Sequence, residues 1–116
     1  RLNNPEDKLL CIIRSHIEFF LKYPARLKVL IYEAHSLEGE YYRKFKAKQL
    51  EYIDIIKKVL EEIMSDNGCG SNINVPTFIL LGMLNWIIQW YEPTGPVTPE
   101  ALAGEMHSFF IKGLKG

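Results

Sequence analysis

The chain is 116 residues long, enough to close around one hydrophobic core but not two. Its 14 basic and 14 acidic side chains cancel, which argues against a free-standing nucleic-acid binder, because displacing counterions from phosphates takes an excess of Lys and Arg. Hydrophobic residues at 47% and charged ones at 24% are proportions of a globular chain rather than a disordered one.

The first element announces itself at Asn4-Pro5-Glu6-Asp7: an N-cap residue, a proline at the first helical position and acids in the first turn. A helix is predicted from Pro5 to about Lys22. Leu9, Leu10, Ile13, Ile17 and Phe20 recur on one face, with Lys8, Ser15, Glu18 and Lys22 opposite. Tyr23-Pro24 interrupts it, since proline cannot continue the hydrogen-bond ladder. Pro24 then opens a second predicted helix, ending near His35. It is apolar on two sides, Leu27, Leu30, Ile31 and Ala34 on one and Ala25, Val29 and Tyr32 on the other, as a central helix would be.

The third predicted helix, about Glu38 to Met64, carries Tyr41, Phe45, Tyr52, Ile55, Ile56, Val59 and Ile63 in one stripe, interrupted by Lys48 and Gln49. Ser65 to Asn74, "SDNGCGSNIN", is rich in turn formers and reads as a loop. Pro76 opens a fourth helix that stops before Pro93. "EPTGPV" forms a second loop, and Thr98-Pro99-Glu100 caps a fifth helix ending around Gly113. No segment alternates as a strand does, so the expected class is all-α, a bundle of five helices.

Val75 to Tyr91 is uncharged, yet it holds Asn85 and Gln89 and falls short of the roughly 20 apolar residues that a membrane span needs. A buried helix is expected. Phe78, Gly82, Asn85 and Gln89 share one side of it, Ile79, Met83, Trp86 and Trp90 lie beside them, and Leu80, Leu84 and Ile87 lie behind. A helix apolar all round must be covered all round. In so short a chain the economical cover is a second copy. The fifth helix adds Leu102, Met106, Phe109, Phe110 and Gly113 as a broad apolar face. Together the two helices predict an isologous interface through Phe78, Gly82, Asn85, Gln89, Leu102, Met106, Phe109 and Phe110.

Signals for chemistry are sparse. His16, His35 and His107 lie on three predicted helices without partners at metal-ligand spacing, so no metal or other cofactor is expected. Cys11 and Cys69 match no zinc or redox motif and read as reduced thiols of a cytoplasmic protein. There is no phosphate loop, no nucleophile elbow and no carboxylate pair in an apolar setting, so no catalytic residue is assigned. "YYRKFKAK" mixes cations with aromatics, but Arg43, Lys44, Lys46 and Lys48 point in different directions around a helix, leaving no basic stripe.

What remains is polar residues set in apolar stripes. Burying an amide or an ammonium without partners costs on the order of a few kcal/mol, so Gln49 needs a partner, and so does Lys48 unless its head reaches water. His16, between Ile13 and Phe20, is either a satisfied core histidine or a ligand contact. The functional expectation is an apolar cavity lined by His16, Phe20, Phe45, Gln49, Tyr52, Met83 and Trp86. Asn85 and Gln89 fit either the cavity or the subunit interface.

The segment from Leu80 to Leu114 also resembles the C-terminal end of the TetR family of transcriptional regulators. Gly82, Asn85-Trp86, Trp90-Tyr91, Pro93, Gly95, Thr98-Pro99-Glu100 and Gly113-Leu114 occur in the family's order. The front, "NPEDKLLCIIRSHIEFFLKYPARLKVLIYEAHSLEGEYYRKF", is similar to the family's helix, proline break and helix. The resemblance implies that residues 1–116 form an effector-binding and dimerisation domain of a repressor. Its helices would enclose a small, largely apolar effector, and the last two would pair subunits. The Asn-Trp and Trp-Tyr pairs resemble a branch whose effectors are acyl-CoA-like. Family members begin with a helix-turn-helix module of about three helices. Nothing in these residues corresponds to it, so DNA contact is expected only through such an N-terminal domain, and no membrane contact is expected. The alternative is a helical dimerisation or protein-interaction module with a filled core and no ligand.

Overall fold

The computed structural model describes residues 4–25, 39–67 and 72–116, and every regular element among them is helical: α1 (Pro5–Lys22), α2 (Gly39–Asn67), α3 (Asn74–Trp90) and α4 (Pro99–Lys115). The expected all-α class holds. The count of five is not matched among the described residues: Pro24 and Ala25 are helical, and the rest of the second predicted helix lies outside them. So does its expected central position.

The local chemistry sets the ends. The Asn4 side chain accepts from the Glu6 amide at 2.7 Å, and Pro5 occupies the first turn, where its missing N–H is no loss. Thr98 caps α4 in the same way, accepting from the Ala101 amide at 3.1 Å, with Pro99 behind it. The predicted loop at Ser65 to Asn74 is helical at its two ends, since α2 continues to Asn67 and α3 starts at Asn74, and its residues 68–71 lie outside the described ones. Turn-forming side chains such as Ser65 stay in the helix because the apolar residues just before them, Ile63 and Met64, are anchored in the core.

α1 touches each of the other three helices. Its Leu9, Ile13 and Ile17 meet Ile56, Leu60 and Ile63 of α2, Leu80, Leu84 and Ile87 of α3, and Leu102, Ala103, Met106 and Phe110 of α4 in one buried cluster. Each such Leu or Ile contributes roughly 1.5–3 kcal/mol by leaving water. Two contacts then tie the start of the domain to its end. The His107 ring nitrogen Nε2 lies 2.8 Å from the Glu6 carbonyl, which can only accept, so Nε2 carries the proton. Lys115 Nζ pairs with the Glu6 carboxylate at 2.6 Å.

The turn between α3 and α4 is built by the motif residues. Tyr91 is buried and donates its hydroxyl to the Val97 carbonyl at 2.7 Å, closing the turn from inside. Gly95 donates its N–H to the Glu92 carbonyl, and a Cβ there would approach that same oxygen to 3.2 Å. Neither tryptophan is buried in the core. Trp86 is 61% and Trp90 54% exposed, because Leu80, Leu84 and Ile87 already occupy the inner side of α3.

Candidate ligand-binding site

α1 presents two adjacent faces. The buried stripe Leu9, Ile13 and Ile17 belongs to the core, and beside it Ile12, His16 and Phe19, spaced as a second helical stripe, face an open space between α1, α2 and α3. This cavity measures about 780 Å³, within the range of sites that enclose small ligands. Phe45, Tyr52, Ile53 and Val59 of α2 form the opposite wall, and Leu81 and Asn85, one helical turn apart, close it from α3. The lining is mainly apolar.

In its lining, His16 Nδ1 lies 3.0 Å from the Tyr52 hydroxyl, with the two rings stacked at 6.0 Å between centroids. Burial lowers the His16 pKa from 6.5 to about 4, and the nearby Asn85 side chain offsets part of that shift. Burial also pushes the Tyr52 hydroxyl up to about 12. Both groups are therefore neutral at neutral pH. The other ring nitrogen, His16 Nε2, is buried and makes no hydrogen bond of standard geometry. The cations stand at the edge. Lys8 pairs with Glu62 at 3.3 Å, and Lys48, largely exposed, lies 4.0 Å from Glu51.

Of the seven residues expected to line a cavity, the structure brings His16, Phe45, Gln49 and Tyr52 together. Phe20 instead packs in the core one turn beyond Ile17. Met83 lines a second, smaller opening of about 380 Å³ with Val75, Ile79 and Phe109, on another side of α3 from Asn85. Trp86 faces solvent. Gln49 and Lys48 are exposed at the rim rather than buried, so neither faces the desolvation cost that would demand an internal partner; Gln49 contacts Lys46 at 3.5 Å. Cys11, Ser15 and Phe19 also line the cavity. The signal for Phe19 lies in the sequence, since Ile12, His16 and Phe19 repeat at helical spacing beside the core stripe. Cys11 and Ser15 have none, since their spacing assigns them to a polar face.

The expected interface residues divide as well. Phe78 and Phe109 are 53% and 72% exposed, and Gly82 and Gln89 are exposed beside them. Leu102, Met106 and Phe110 turn inward to the core, because α1 packs closely on that side of α4. Asn85 goes to the cavity. Val75, Phe78, Ile79, Trp86 and Trp90 thus form an exposed apolar ridge along α3, with Phe109 of α4 next to it.

No helix among the described residues is long and apolar enough to cross a membrane. Comparison with curated proteins finds no match. Among solved structures, the chain is similar to a TetR-family transcriptional regulator from Bordetella parapertussis 12822, with 28% identity and a TM-score of 0.84 over 93% of this chain and 57% of that one. It is also similar to AibR, solved in complex with isovaleryl coenzyme A and operator DNA, with 25% identity and a TM-score of 0.77 over 94% of this chain and 60% of AibR. The chain thus spans less than two thirds of the length of either. The family model described as Tetracyclin repressor-like, C-terminal domain, matches residues 2–114. With that match running over nearly its whole length, the chain belongs to the C-terminal, ligand-binding regulatory domains of TetR-family transcriptional regulators.

Proposed function

We propose that this domain binds a small, largely apolar, acyl-CoA-like effector in the cavity between α1, α2 and α3 and that it homodimerises through α3 and α4. The observation that carries the effector reading is a cavity of about 780 Å³ whose largely apolar walls hold a half-buried polar pair, His16 and Tyr52. A packed core has no use for such a space, whereas a ligand site needs both the volume and a few groups that orient what enters. That AibR was solved with an acyl coenzyme A supports the effector class. Lys48, exposed in the cavity lining, suits the anionic end of such a molecule.

Dimerisation is supported by the ridge of Val75, Phe78, Ile79, Trp86 and Trp90, a contiguous apolar surface of the kind that marks an interaction site. In the whole protein, a cytoplasmic repressor, DNA binding would fall to a helix-turn-helix module that residues 1–116 do not hold. The effector would act by favouring the geometry that does not fit the operator. Melting the protein with a panel of acyl-CoAs tests the effector reading. A ligand that binds only the folded state raises the melting temperature, and no shift across the panel would favour the alternative, a dimerisation module without a ligand.

A further inference from the structure

We propose that the effector lies lengthwise in the large cavity, its coenzyme portion held outside at the Lys48 end and its acyl tail running toward Cys11 and Val59, so that the bridge between Lys8 and Glu62 limits the length of tail the domain takes. This rests on the effector-binding reading and assigns that site a direction and a length.

The direction follows from two contacts between the helices that wall the cavity. Lys8 of α1 pairs with Glu62 of α2 at 3.3 Å, and His16, further along α1, meets Tyr52, earlier on α2. The two helices therefore run antiparallel beside the cavity. On α1 the lining begins at Lys8 and ends at Phe19, a rise of about 16 Å. On α2 the stretch from Val59 back to Lys48 covers about the same length. Cys11 and Val59 thus mark one end of a trough, with the Lys8–Glu62 bridge just beyond them, and Phe19 and Lys48 mark the other.

The two ends differ in access and in charge. At the first, Val59 is buried, Cys11 is half-buried, and the charge of Lys8 is already matched by Glu62. At the second, Lys48 and Gln49 are exposed, and between residues 39 and 51 Arg43, Lys44, Lys46 and Lys48 outnumber Glu40 and Glu51. Phosphates placed there keep their hydration and gain a positive field. At the first end they would be desolvated beside a cation that a carboxylate already neutralises, which is costly. An alkyl tail has the opposite preference, since it gains by leaving water against Val59, Cys11 and Ile12.

Length then follows from the rise of the helices. Ordinary carbon–carbon bond lengths and angles advance an extended chain by about 1.25 Å per carbon, so about a dozen carbons fill the trough. A longer tail has to part Lys8 from Glu62 or fold back on itself.

The test uses coenzyme A and its butyryl, octanoyl, dodecanoyl and hexadecanoyl thioesters. Affinity measured by calorimetry should rise by at least about a hundredfold from butyryl to dodecanoyl and gain nothing further at hexadecanoyl. Alkylation of Cys11 by iodoacetamide, followed by peptide mass spectrometry of the unmodified chain, should be slowed severalfold by dodecanoyl-CoA and left unchanged by butyryl-CoA or coenzyme A. Cys11→Phe, which shortens the trough, should weaken dodecanoyl-CoA about tenfold and spare butyryl-CoA. Lys48→Gln should weaken every thioester alike, by about threefold. Protection of Cys11 by coenzyme A or butyryl-CoA would place the coenzyme itself at this end and overturn the proposal. So would unprotected Cys11 with dodecanoyl-CoA bound, or affinity still climbing at hexadecanoyl, and each of these leaves the effector reading intact. Failure of every thioester to bind would overturn both.

Discussion

The two openings on α3 differ in one respect that decides their use. The larger has His16, Tyr52 and Asn85 among its apolar walls, whereas the smaller is lined by Met64, Val75, Ile79, Met83, Phe109 and Phe110 without a polar side chain. Polar groups in an apolar space fix the orientation of a guest. A dry opening beside an exposed apolar ridge has nothing to orient and only area to cover, which suits a second copy of the same surface.

The sharpest way to break this division is to charge the dry side. Phe109→Glu places a carboxylate twice over in the proposed isologous contact, so association should weaken by roughly a thousandfold, read by sedimentation, while effector binding in the other cavity persists. Gly82→Leu should act in the same direction without harming the subunit, because nothing among the described residues lies within 4 Å of a Cβ at that position. Loss of the fold rather than of the dimer would contradict the assignment of this face.

Leu84 separates the two regions and is 1% exposed. Leu84→Ala should cost about 4 kcal/mol in urea unfolding, through lost burial and an unfilled cavity. The wet side should show itself through pH. His16 has a folded pKa of about 4 against 6.5 when unfolded. Between those values the unfolded chain holds more protons, so its contribution to stability is complete above pH 6.5 and disappears as pH falls through about 4, a loss of roughly 3 kcal/mol. His16→Gln should flatten that part of the profile. The smallest expected effect lies outside both openings: Thr98→Ala removes the cap on α4 and should cost about 1 kcal/mol.

Much of this architecture is legible in the amino-acid sequence. Asn4-Pro5 and Thr98-Pro99 mark helix starts because their chemistry is local, and Leu9, Ile13 and Ile17 mark a core face because helical spacing is local too. His16, Phe45, Gln49 and Tyr52 stand out as positions in or near apolar stripes. That His16 and Tyr52 meet is another matter, since 36 residues separate them and nothing in either neighbourhood specifies the pairing. Trp86 misleads for a related reason. On a helix that is apolar all round, residue size suggests burial but periodicity does not say which side is inner, and the aliphatic residues take it. Leu102, Met106 and Phe110 form an apolar face as expected, but their partner is α1 of the same chain.

One consequence follows from the crowding of α3. Met83, Leu84 and Asn85 are consecutive, and they address the dry opening, the core and the wet cavity in turn, as successive residues set about 100° apart must. With no idle side, α3 behaves like a camshaft. A guest that turned the α3 backbone at Asn85 would carry the same rotation to Phe78 and Trp86 on the outer ridge. A few degrees of turn, too small to disturb Leu84 in its socket, would already alter the angle at which two such ridges meet.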